Sequence, residues 1–430
     1  MSLLQRIPRA TAPAAIGSLV SLAAQGVFAL FLLKLFDAQA VGIFSVVSQI
    51  AFCWATLALA QSPVSLLANH RHAPRYAAAV AWRQSVQRML WLAPGMALAL
   101  YWSQSHGSAL MPAPAPANAA AVFSWPSWIG LAGWVSLIAI TQMSWLLAQS
   151  LTLRTQGPQA IALVRLVPPV LATLVAWTGA QGLGATQAST LLLASLMGYS
   201  AGMLWMAPAA RIPRDHHDAQ VTPEQQAPMH SPPSDPRSTR LKMLHTLTDV
   251  LCSTALAIQW QSLYGPAEAG YLLVLLRVLG FVPALVHTAW AQALISRPHE
   301  QKLSPLWVAL AASTVIALLA FCLEAALQGQ WLQPSWQNLR PYMWPLALWQ
   351  MAACVSAAHA HLPFWQSRTR QFSHQSMAIN LAMVCLLLIN PSMGITATAH
   401  LYWVSGFMVL ALSLQTLYFL RKKSASVSMI

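Results

Sequence analysis

LYGPAEAGYLLVLLRVLGFVP, residues Leu263 to Pro283, decides how this chain is read. It opens as a Gly-Pro turn and continues as an apolar helix with one cation, Arg277, set inside it. At about 1.5 Å of rise per residue, Arg277 lies roughly 10 Å along that helix from Gly270. A helix this apolar reads as a membrane span. A charge at the centre of a span costs about 2.5–3.5 kcal/mol even on the mild insertion scale. Arg277 is therefore expected to face a wet cavity and to meet an anion there.

The rest of the chain has the same character. Of its 430 residues, 57% are hydrophobic and 7% are charged, and the mean hydropathy is +0.54. Soluble domains carry roughly 25% charged residues, so this is an integral membrane protein. Lys and Arg number 23 against 9 Asp and Glu. No basic run alternates with aromatics, so the excess reads as an orientation signal and no nucleic-acid partner is expected. The five cysteines lie in apolar segments without metal-ligand spacing and read as packing residues. No metal site is expected. The His216-His217 pair reads as part of a solvated loop. The first apolar run, about 12–35, exceeds a signal-peptide h-region and reads as a span.

Twelve apolar segments can be marked: about 12–35, 40–67, 86–102, 128–150, 159–178, 187–208, 243–264, 267–293, 304–326, 342–362, 375–390 and 395–420. Most approach the ~20 residues that a bilayer core requires. With both termini cytoplasmic, 19 of the 23 basic residues fall in cytoplasmic segments. Lys34 and Arg340 fall outside, and Arg165 and Arg277 fall within spans. The partition supports twelve spans.

A polar, Pro-rich stretch from Arg211 to Lys242 divides the spans six and six. The expected organisation is an N-terminal six-helix lobe over 1–208, a flexible cytoplasmic linker over 209–242 and a C-terminal six-helix lobe over 243–430. The halves resemble each other. LFDAQAVGIFSVVSQ from Leu35 lies over LYGPAEAGYLLVLLR from Leu263, an offset of 228 residues. Such parallel repeats, related by a pseudo-two-fold axis along the membrane normal, are a common build for secondary transporters, with the substrate site between the halves.

Residues seven apart on a helix lie nearly above one another. Gly270, Arg277, Ala284 and Ala291 form one such stripe, with Thr288 beside it. The offset gives Gly42, Gln49, Thr56 and Pro63 in the first half. Gln25 in the first span, Gln142 and Gln149 in the fourth and Arg165 in the fifth extend the candidate cavity lining. Each glutamine can equally join helices by hydrogen bonds, and Arg165 can snorkel to its helix end. Asp249, with Asn380 as a helper, is the candidate for binding a coupling cation, with a surface pairing role as its alternative. Tryptophans near span ends read as interfacial belts.

No GxSxG, HExxH, Walker loop or usefully spaced carboxylate pair is present. No catalytic residue, enzyme activity or cofactor is expected. A proton or sodium gradient, or downhill flux, is the expected drive.

With these stretches in view, the chain resembles the polysaccharide biosynthesis transporters, the Wzx-type O-antigen flippases of the multidrug/oligosaccharidyl-lipid/polysaccharide (MOP) exporter superfamily. LYGPAEAGYLLVLLRVLGFVPALVHTAWAQALISRP is similar to that family's Gly-Pro-Glu turn with a following Arg and Pro, and LTLRTQGPQAIALVRLVPPVLATLVAWTGAQGLGA to its fourth-to-fifth-span region. The chain departs from the family in its long linker and in the first-half turn LFDAQAVG, which lacks Gly-Pro. The resemblance implies an all-α flippase of the bacterial inner membrane, working by alternating access. It would move an undecaprenyl-diphosphate-linked oligosaccharide from the cytoplasmic to the periplasmic leaflet. Arg277 matches the family's second-half arginine. Implied partners are that substrate, membrane lipids and other polysaccharide-assembly proteins. The competing readings are a multidrug exporter of the same superfamily, a polytopic polymerase or ligase, and a scaffold subunit.

Overall fold

A computed structural model describes residues 12–60, 62–68, 73–105, 127–156, 158–206, 236–291, 294, 304–389 and 394–427. Among these residues the chain is helical and contains no strand. In the first half the helices are α1 Ala12–Leu35, α2 Ala38–Leu59, α3 Ser62–Ala68, α4 Pro74–Ser105, α5 Ser127–Thr155, α6 Pro158–Gly182 and α7 Ala188–Met203. In the second they are α8 Pro236–Tyr264, α9 Pro266–Leu285, α10 Pro305–Gln328, α11 Arg340–Ala358, α12 Leu362–Trp365, α13 Thr369–Ile389 and α14 Ala397–Val427. Apart from the short α3 and α12, twelve long helices match the twelve apolar segments. Among the described residues, six stretches are apolar and long enough to cross a bilayer: Ala38–Leu59, Gly130–Thr155, Ala160–Gly182, Pro266–Leu285, Pro305–Gln328 and Ala397–Arg421.

Several boundaries differ from the sequence reading. The segment 40–67 is two helices, because the chain breaks at Ala60, whose φ is +47°. Ser62-Pro63 restarts it as α3, and proline suits a first turn because no intrahelical N–H is needed there. The segment 267–293 remains α-helical to Leu285 and then loosens into a π-helical turn, Val286–Ala291. Pro283 lies just before this change and donates no backbone hydrogen bond.

The chain divides into two compact units. One comprises Met1–Phe31 and Val46–Thr239, the other Leu32–Ser45 and Arg240–Ile430. Up to residue 235 the Pro-rich linker, including His216 and His217, lies outside the described residues, and α8 begins at Pro236.

In the first unit the packing contacts include indole donors to main chain. Trp145 Nε1 donates to the Val164 carbonyl at 2.7 Å and Trp54 Nε1 to the Met89 carbonyl at 3.1 Å. Arginines close the ends of α2 and α3. Arg88 Nη1 reaches the Leu59 carbonyl at 3.3 Å and Ser62 Oγ at 3.0 Å, and Arg154 Nη1 reaches the Leu66 carbonyl at 3.0 Å. These are the unsatisfied carbonyl ends of helices, where a cation is favoured.

The second unit holds the α1–α2 turn. Gln333 Nε2 donates to the Leu35 carbonyl at 2.8 Å, and Trp336 Nε1 to the Phe36 carbonyl at 2.9 Å. The Ala38 amide donates to Ser335 Oγ at 3.3 Å. The 3₁₀ segment Pro334–Leu339 thus clasps the turn. The two half-repeats begin their second helices by different chemistry. Asp37 caps α2 by accepting the Ala40 amide at 2.6 Å, whereas Gly265 turns the chain at φ +89° before Pro266 starts α9. Arg340, one of the two basic residues outside the charge partition, pairs with Glu324 at 3.1 Å.

Candidate functional site

In the first unit, the broken end of α2 and the start of α3 meet α5 and the first turns of α6 around a cavity of about 370 Å³. Its walls are mostly apolar, including Phe52, Leu59, Leu146 and Ile161. Its polar lining is Thr56, Gln149, Ser150 and Arg165. Arg165 Nε donates to Gln149 Oε1 at 3.0 Å, which fixes the plane of the guanidinium. None of the lining residues is acidic. The cavity therefore offers one cation, oriented by a neutral amide, between greasy walls. That combination suits an anionic group carried on an apolar body.

Two of the sequence-derived candidates, Gln149 and Arg165, meet in this cavity, together with Thr56 and Pro63 from the stripe through Gln49. Gln49 is half-buried on α2, and Gln25 is exposed on α1. Gln142 is buried and extends its amide to the Tyr199 hydroxyl at 3.4 Å, joining α5 to α7. The other end of the same stripe packs helix against helix at Gly42.

Arg277 lies in the second unit, half-buried, with its guanidinium carbon 5.4 Å from the centre of the Phe44 ring. This is cation–π distance, and it holds the charge against an aromatic face. The Thr288 side chain lies outside the described ones. Asp249 is exposed on α8. One turn further on, Cys252 Sγ donates to the Asn380 carbonyl at 3.2 Å, so α8 and α13 touch beside the Asp249 position. Among the described residues, no group of three or more His, Cys, Asp or Glu could hold a metal ion.

Sequence reasoning missed three features. The restart at Ser62-Pro63, which shapes the cavity rim, carried a helix-start signal inside a run read as one span. The capping roles of Arg88 and Arg154 were hidden because both were counted as loop charges. A ring cluster of Trp260, Tyr264, Tyr342 and His400 joins three helices that are far apart in sequence.

No family model matches the chain, and no curated protein matches it. Solved structures do. The chain is similar to the lipid II flippase MurJ in an inward closed conformation, with a TM-score of 0.58 and 10% identity, covering 96% of this chain and 87% of that one. It is similar to an outward-facing multidrug resistance MATE family transporter of the MOP superfamily, with a TM-score of 0.52 and 11% identity, over 97% and 96% of the two chains. It is also similar to a MATE in complex with MaL6, at a TM-score of 0.50 and 11% identity, over 97% and 96%. At such identities the likeness establishes the fold alone: this multi-pass membrane chain is built as these transporters of the MOP superfamily are built.

Proposed function

We propose that the protein flips a lipid-linked oligosaccharide of the polyprenyl-diphosphate class from the cytoplasmic to the periplasmic leaflet of the bacterial inner membrane, for surface polysaccharide or lipopolysaccharide assembly. The observation that carries this reading is the acid-free cavity in which Gln149 orients Arg165. A phosphorylated headgroup cannot cross hydrocarbon unaided, because burying an unpaired charge is prohibitive. Arg165 supplies a planar, permanently charged donor for phosphate oxygens, and the apolar walls tolerate the first prenyl units. Arg277 supplies a second cation, in the other unit. Asp249, exposed on α8 one turn before the Cys252 contact with α13, is the group we assign to a coupling cation. The fold shared with a lipid II flippase agrees with such a cargo.

The test uses the detergent-solubilised full-length protein and a short-chain polyprenyl diphosphate as probe, with the matching prenyl alcohol as control. The wild type binds the diphosphate and not the alcohol, and Arg165→Ala reduces diphosphate binding at least tenfold. In cells, Arg165→Ala reaches the membrane and loses surface glycan, while Arg165→Lys retains part of it. Equal binding of alcohol and diphosphate refutes the reading. A drug exporter is the alternative, favoured by the fold shared with a multidrug transporter. Binding of a lipophilic cation in place of the diphosphate selects it.

A further inference from the structure

The packed and open faces of α13 differ in kind. Ser373, Met383 and Leu387 are buried, and Ser376 Oγ accepts the Gln415 amide of α14 at 3.1 Å. Arg370, His374, Ala378 and Leu381 are exposed, as is Leu388 two turns further on. At about 100° per residue, these five fall within about 80° of one another around the helix. The open face therefore begins with charge and continues apolar. Leu381 lies eleven residues, or roughly 16 Å, along the helix from Arg370. One leaflet of the hydrocarbon core is about 15 Å deep.

The charged end of this face is held in place. The short α12 and a bend at Ser367, whose φ is +53°, lead the chain from α11 into α13. Gln366 Nε2 donates to the Phe419 carbonyl at 3.0 Å, and the Tyr418 hydroxyl to Gln371 Oε1 at 3.4 Å, so the end of α14 lies against the start of α13. Arg421, also exposed, follows Tyr418 by three residues on the same side of α14. Arg368, Arg370 and Arg421 therefore gather at one end of the second unit. Among the described residues no carboxylate pairs with any of the three, and the first turn of α13 holds no acid. Arg368 Nη1 is buried and makes no hydrogen bond. The amide dipoles at the start of α13 add to the positive potential there. Setting the orientation of the chain needs charge on this side of the membrane, but it needs no buried guanidinium nitrogen without an acceptor.

We propose that this face of α13 is a docking surface for an anionic phospholipid. The headgroup phosphate sits at Arg368, Arg370 and Arg421, and an acyl chain runs along Ala378 and Leu381. The charge partition assigns this end of the unit to the cytoplasm, whose leaflet carries the anionic lipids that attract such clusters. Each cation near the surface contributes about a fivefold gain in affinity. None of these residues lines the cavity that holds Arg165.

Native mass spectrometry of the full-length protein, released from detergent with phosphatidylglycerol or phosphatidylcholine at equal concentration, reads the bound lipid directly. The sample contains no prenyl lipid, so the outcome is independent of the proposed cargo. The wild type is expected to retain phosphatidylglycerol at least tenfold over phosphatidylcholine. Arg368→Gln combined with Arg370→Gln should lower that retention at least tenfold. Ala378→Trp, which keeps every charge and fills the exposed face, should lower it as well. Arg340→Gln, at the start of α11, should leave it unchanged. Equal retention of the two lipids by the wild type overturns the proposal, as does retention that either folded variant leaves intact. Displacement of phosphatidylglycerol by inorganic phosphate also overturns it, since that result describes a site for a free anion.

Discussion

Gly42 and Gly270 pack against each other's helix in the same way, 228 residues apart in sequence. A Cβ on Gly42 would lie 1.7 Å from the Pro266 carbonyl oxygen and 3.0 Å from the Gly270 nitrogen. A Cβ on Gly270 would lie 2.2 Å from the Ala38 carbonyl oxygen and 3.2 Å from the Gly42 nitrogen. Ala38 and Pro266 are themselves related by the same offset, so the contact is reciprocal. Each helix presents to its repeat partner what it receives, as in an isologous interface.

This contact leaves no room for a methyl group. Gly42→Ala and Gly270→Ala should each destabilise the protein by about 1–3 kcal/mol, because the clashing atoms are backbone and cannot rotate away. Gly280, whose nearest contact at 3.6 Å is the Gln350 side chain, should accept alanine with little change. Thermal unfolding in detergent compares the three. Tolerance at Gly42 or Gly270 equal to that at Gly280 contradicts the packing described.

The cavity's lack of acid gives a second expectation. Ser150 is buried and lines the cavity with Arg165. Ser150→Asp should place a carboxylate where Arg165 can pair with it and so compete with any anionic headgroup. Surface glycan should fall at least tenfold with the protein still in the membrane, while Ser150→Asn, of nearly the same size, keeps most of the activity. Equal export by the two variants argues against electrostatic selection in this cavity.

How much of this was legible beforehand depends on the range of the interaction. The twelve helices were visible because each is a local run of apolar residues, and the Gly265-Pro266 turn because its chemistry lies in two adjacent residues. The repeat offset found at Leu35 and Leu263 gave the register of the Gly42–Gly270 contact, though the stripe through these glycines read as a polar lining and its outer end is a packing seam. Gln142 and Gln149, seven apart on one helix, read alike. One binds Tyr199 and the other Arg165, and helix periodicity cannot separate these because the partner lies on another helix. The break at Ala60 was missed since positive φ at alanine has no sequence signature; only the Ser-Pro that follows it does.

The clasp on the α1–α2 turn offers a third test. Trp336 is fully buried and donates to the Phe36 carbonyl. Trp336→Phe keeps most of the ring and removes the donor, leaving a buried carbonyl unpaired at a cost of about 1–3 kcal/mol. Trp336→Ala adds a cavity and should cost about 3–5 kcal/mol. The order wild type, Phe, Ala in thermal unfolding is the expected one. A Phe variant as stable as the wild type shows that water or another donor serves Phe36.

Arg88, which the sequence assigns to topology alone, makes the strongest case for a charge with a structural role. Its Nη1 lies 3.3 Å from the Leu59 carbonyl, 3.5 Å from the Ala58 carbonyl and 3.0 Å from Ser62 Oγ. It therefore bridges the last turn of α2 to the first residue of α3 across the break at Ala60. Both Leu59 and Ala60 line the cavity, so the same bond that closes the helix end also shapes the rim of the site. Arg88→Ala should lower stability by about 1–3 kcal/mol, as expected for a lost charged hydrogen bond with its carbonyl partners left exposed to apolar walls. It should also reduce glycan export more than its stability loss explains, because the rim relaxes. Arg88→Lys keeps a cation near the helix end but cannot span both sides of the break, so it should recover stability better than export. Parallel recovery of the two would mean that Arg88 acts on folding alone.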